Sequence, residues 1–122
     1  MDTLDPIVRG ADWRYIHTVT IDGGGSIAAC AAITMCWKYD PADDDADAAV
    51  TLTWLSAGGG SGITVLSDTT FSAVIPHAKT RTLRAKPLYV GVKYQLLDGT
   101  EIPELGLDPD TMCIDGIPLD MG

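Results

Sequence analysis

The chain has 122 residues, 46% of them apolar, and a formal charge of −9, which sizes it for one globular domain that buries its own core without disulfides or a metal. Eight Lys and Arg against seventeen Asp and Glu exclude duplex nucleic acid and anionic membrane as main partners, since both draw on accumulated positive charge. The longest apolar run, residues 27–37, is shorter than the ~20 residues that span a bilayer, and Met1-Asp2-Thr3-Leu4-Asp5 lacks the regions of a signal peptide, so a chain made and kept in a cytoplasm is expected.

Fifteen of the seventeen acids are Asp, a residue of turns and caps, while Glu, the usual acid of helix surfaces, stands only at 101 and 104. Strands joined by turns are therefore expected. Trp13, Tyr15, His17, Val19 and Ile21 alternate with Arg14, Ile16, Thr18 and Thr20, which predicts a strand with one buried face, closed by Asp22-Gly23-Gly24-Gly25. Ile33, Met35 and Trp37 alternate with Thr34, Cys36 and Lys38, predicting a second strand over 32–39. Residues 41–48 are acidic and small, an exposed loop before a strand at 50–54, and the glycine-rich stretch 56–62 reads as a flexible connection. Short strands at 63–66 and 70–75 flank the turn Ser67-Asp68-Thr69. The connection 76–86 has room for one helical turn around 79–83.

The clearest strand covers 88–97, with Val90, Val92, Tyr94 and Leu96 on one face, followed by the hairpin signal Asp98-Gly99. From Glu101 onward, Pro103, Pro109 and Pro118 leave room for one last strand near 111–114 and an irregular tail. Six or seven short strands bounded by turn chemistry predict an all-β, immunoglobulin-like two-sheet antiparallel sandwich. The sandwich is assigned to residues 1–104, and 105–122 to a Pro- and Asp-rich strand and tail expected either to lie along its own sandwich through Met112 and Ile114 or to reach a neighbouring subunit with Ile117 and Leu119 as apolar anchors.

No catalytic template fits. Gly58 to Gly60 with Gly62 lack the Gly-Lys-Ser/Thr ending of a phosphate loop, and Ser61 lacks the Gly-x-Ser-x-Gly elbow because Ile63 holds its last place. His17 reads as a hydrogen-bonded core imidazole and His77 as an exposed loop residue. Asp43, Asp45 and Asp47 start like a calcium loop, but Ala48 and Trp54 stand where its Gly and bidentate Glu belong, so no metal or cofactor is expected. Cys30, Cys36 and Cys113 form no Cys-x-x-Cys pair. They read as buried free thiols, with a bridge from Cys113 to one of the others as the alternative. Lys79, Arg81, Arg84 and Lys86 gather four of the eight basic residues into one short segment, suited to an acidic neighbour or simply to solvent.

Four pieces in order resemble the immunoglobulin-like domain of tailed-bacteriophage structural proteins, including the N-terminal domain of baseplate upper proteins. They are Ile7-Val8-Arg9-Gly10-Ala11-Asp12-Trp13 with the alternating strand after it, the strand ending Trp37-Lys38, Gly62-Ile63-Thr64-Val65, and Val92-Lys93-Tyr94-Gln95-Leu96-Leu97-Asp98-Gly99-Thr100. Together they cover about residues 6–100. The Ala-rich run 28–32, the acidic loop and the Pro-rich end have no counterpart in the pattern. The resemblance implies a non-enzymatic virion protein of tail, baseplate, fibre or capsid, without catalytic residues, a stand-alone accessory attached to other chains. Its implied partners are other virion proteins and, in a homo-oligomer, further copies of itself. The alternative is a carbohydrate- or receptor-binding sandwich module, which would show an exposed aromatic platform.

Overall fold

The computed structural model describes residues 6–19, 26–105 and 109–114. Nine strands form two sheets: β1 (Ile7–Val8), β2 (Trp13–Thr18), β3 (Ala32–Lys38), β4 (Val50–Leu55), β5 (Ile63–Val65), β6 (Thr70–Ile75), β7 (Pro87–Gln95), β8 (Glu101–Leu105) and β9 (Pro109–Ile114). A six-stranded sheet has the order β1-β9-β7-β3-β4, with β8 also on β7, and a three-stranded sheet has the order β2-β6-β5. All pairs are antiparallel except β1 with β9, which run parallel with Ile7 beside Cys113. The protein is an all-β two-sheet sandwich.

Alternation places the strands. In β2, Trp13 and His17 are buried and Arg14, Ile16 and Thr18 are exposed, as expected of a strand with one core face. The strand was expected to run to Ile21 but ends at Thr18, with Val19 buried just beyond it; residues 20–21 and the closing turn 22–25 lie outside the described residues. Strand β3 differs, because six of its seven residues are buried and only Thr34 is half-buried. It is flanked by β4 and β7, and such a central strand reads as a continuous apolar run. Strand β7 alternates regularly, with Leu88, Val90, Val92 and Tyr94 inside. Strand β8 had not been expected, since Pro103 argues against a strand; it pairs with β7 across a register shift, where a missing ladder donor does least harm.

One core joins the sheets. Trp13 of β2 meets Trp37 of β3 edge to face, with centroids 5.3 Å apart and planes at 85°. Trp37 is fully buried and its Nε1 has no hydrogen-bond partner. The unpaired donor costs ~1–3 kcal/mol, whereas burying ~150–250 Å² of indole at ~25 cal/mol per Å² contributes about 4–6 kcal/mol, so burial wins. His17 is a core imidazole, its Nδ1 2.8 Å from the Tyr15 hydroxyl and its ring against Phe71. All three cysteines are buried and none is in a disulfide, so no bridge from Cys113 forms.

Two connections differ from expectation. The stretch 56–62 is not a loose linker: the Thr53 amide donates to the Ser61 carbonyl at 2.7 Å, and Gly62 bridges Thr53. A Cβ at Gly60 would fall 2.7 Å from the Thr53 carbonyl oxygen, and one at Gly62, where φ is +91°, would fall 2.5 Å from Leu52 Cδ2. The glycines permit that close approach. The helical turn α1 (His77–Thr80) begins two residues earlier than expected, directly after Pro76. Its start is set from a distance, because Asp12 Oδ1 accepts the His77 amide at 2.6 Å.

Candidate functional site

The strand registers bring three connections to one end of the sandwich. Trp13 opens β2 beside Ile75 at the close of β6, and Lys38 closes β3 beside Tyr89 near the start of β7. Residues 9–12, 39–49 and 76–86 therefore share that end. Thr80, fully buried, ties the first to the third: its hydroxyl accepts the Gly10 amide at 3.1 Å and donates to the Ala11 carbonyl at 2.8 Å. Leu83, 2% exposed, is the apolar anchor of the same segment.

Around these anchors the basic residues Lys79, Arg81, Arg84 and Lys86 are all exposed. Tyr39, the residue after β3, organises two of them, with Arg84 Cζ 4.3 Å and Lys86 Nζ 5.1 Å from its ring centroid. The Arg84 amide also donates to the Tyr39 hydroxyl at 2.6 Å. Each cation–π contact of this exposed kind is worth ~0.5–1 kcal/mol, enough to bias the side chains without immobilising them. None of the four cations pairs with a carboxylate among the described residues.

The acidic loop begins at the very next residue. Asp40 Oδ1 accepts the Ala42 amide at 2.9 Å, the Asp43 amide donates to the Asp40 carbonyl, and Asp45–Asp47 makes one 3-10 turn. This is Asp used for turn geometry. Asp40, Asp44 and Asp47 are exposed and pair with no described cation. No three His, Cys, Asp or Glu among the described residues converge in a way that would hold a metal. The end of the sandwich is thus bipolar, with a basic lobe at 79–86 and an acidic lobe at 40–47 meeting at Tyr39.

His77 is exposed, as expected of it, but it also has a partner in Asp12, whose Oδ1 lies 3.0 Å from its Nδ1. The backbone amide of His77, then its side chain, hold the Asp12 carboxyl below its ordinary value. Ile117 and Leu119, the expected apolar anchors, lie outside the described residues. Tyr39 and Asp12 had not been singled out. Their partners stand 45 and 65 residues away, so no local pattern marks them. The one available signal was parity, since Tyr39 extends the inward series Ile33, Met35, Trp37 by one step.

Comparison of the chain with protein-family models, with curated proteins and with solved structures returned no match. The fold and its charged end therefore define the class: an all-β two-sheet sandwich with opposite charges, unpaired by each other, gathered on the loops of one end.

Proposed function

We propose that the protein is a non-enzymatic structural accessory of a tailed-phage virion that acts through protein–protein contact. The observation that carries the reading is strand order. β2-β6-β5 facing β9-β7-β3-β4 follows the B-E-D and G-F-C-C′ order of the immunoglobulin pattern; all but β9 of these strands lie within the residues 6–100 that carry the resemblance. The basic segment 79–86, with Lys79, Arg81, Arg84 and Lys86 exposed and unneutralised, is its electrostatic contact with an acidic neighbour.

The alternative, a glycan- or receptor-binding module, calls for an exposed aromatic platform. Every Trp, Tyr and Phe of the chain is buried or half-buried, and Tyr39 is overlaid by two cations, which favours the structural reading. Mass spectrometry of purified particles of the encoding virus tests it. The protein is expected in many copies per particle, and its absence from the particles would overturn the reading.

A further inference from the structure

We infer that the acidic neighbour of the basic segment is a second copy of this chain, bound end to end about a two-fold axis. The inference deepens the contact reading above and uses only this chain's own surface. Its starting point is that opposite charges stand side by side without neutralising one another. Arg84 and Lys86 are drawn onto the ring of Tyr39, while Asp40, the next residue, turns its carboxylate back onto the Ala42 amide. Arg81, Asp44 and Asp47 are exposed and make no ion pair with a described residue.

That arrangement selects its partner. A uniformly acidic surface would be attracted by the 79–86 lobe and repelled by the 40–47 lobe beside it, and a uniformly basic surface would meet the reverse. A bipolar surface satisfies both, and a second copy is bipolar by construction. Under two-fold symmetry the basic lobe of each protomer faces the acidic lobe of the other, so each complementary contact is made twice.

The total charge of −9 on each protomer opposes this at long range. At ~0.1 M salt the Debye length is about 10 Å, so charges remote from the contact are screened while lobes in contact still attract. At ~1 M salt the length falls to about 3 Å and the contact itself is screened. Association is therefore expected to be strongest at intermediate ionic strength, and weak and fast-exchanging because two loop-built ends bury little area.

Sedimentation of the purified full chain across a range of protein and salt concentrations is the test. The wild type is expected to dimerise reversibly, with the dissociation constant rising about tenfold or more between ~0.1 M and ~1 M salt. Arg81→Glu with Arg84→Glu takes the 79–86 lobe from four positive charges to none net, and Asp44→Lys with Asp47→Lys takes the 40–47 lobe from five negative charges to one net. Each double variant should be monomeric alone, and an equimolar mixture, which restores one contact between an intact basic and an intact acidic lobe, should form a one-to-one heterodimer weaker than the wild-type dimer. A wild type that stays monomeric at every salt concentration, variants that dimerise like wild type, or a mixture that stays monomeric would each overturn the inference. The wild-type salt series needs no substitution and stands if a variant misfolds. A monomeric wild type leaves the virion reading intact, while absence from particles leaves the dimer measurement intact, so the two failures are distinguishable.

Discussion

Trp37 and Tyr39 stand two residues apart on the same side of one strand and its continuation, yet they live in different regimes. Trp37 is sealed between the sheets against Trp13, with a polar atom left unpaired because the apolar burial outweighs it. Tyr39 sits at the rim, its hydroxyl used by a backbone amide and its ring by two cations. On the proposed reading, stability and recognition are divided along a single strand. The core half tolerates almost no change, and the rim half carries charge whose removal costs the fold little.

The largest expected effect is at the core. Trp37→Ala should lower unfolding free energy by ~3–5 kcal/mol, measured by urea denaturation, and in a domain of this size that is a large share of the total. A loss below about 1 kcal/mol would mean that the Trp13–Trp37 contact does not hold the sheets together. Next comes the glycine connection. Gly62→Ala meets Leu52 and a φ of +91°, and should cost ~1–3 kcal/mol. An unchanged denaturation midpoint would show that 56–62 is loose after all.

Thr80→Val keeps the volume but strands the Gly10 amide and the Ala11 carbonyl, and about 1–2 kcal/mol should be lost. The smallest effect concerns Asp12. Its folded carboxyl titrates below its ordinary value, so its contribution is present above the unfolded pKa and lost as pH falls through the folded one. Melting temperatures should therefore fall more steeply below about pH 4 in the wild type than in Asp12→Ala. Identical acid slopes would remove Asp12 from the docking of 76–86.

What was legible in the sequence follows from the range of each cause. The alternation of Trp13 to Thr18 and of Leu88 to Tyr94 is local, and both strands form where that pattern places them. Trp13, Trp37 and Tyr94 are core for the same reason. Strand β8 was hidden by Pro103, whose cost depends on a register shift in a partner that the local pattern does not contain. The docking of 56–62 was hidden because glycine signals freedom locally, while the close approach that uses it is tertiary. In the candidate site, the composition of both charged lobes was plain. Their meeting at Tyr39 was not, since Arg84 reaches it from 45 positions away.

The division along β3 reduces to one paired measurement on Arg81→Glu with Arg84→Glu. Both side chains are exposed, so the denaturation midpoint should stay close to that of the wild type, within roughly 1 kcal/mol of stability. Sedimentation of the same sample at ~0.1 M salt should show that self-association is lost. A protein that loses several kcal/mol of stability, or one that is fully stable and still dimerises, would contradict the account.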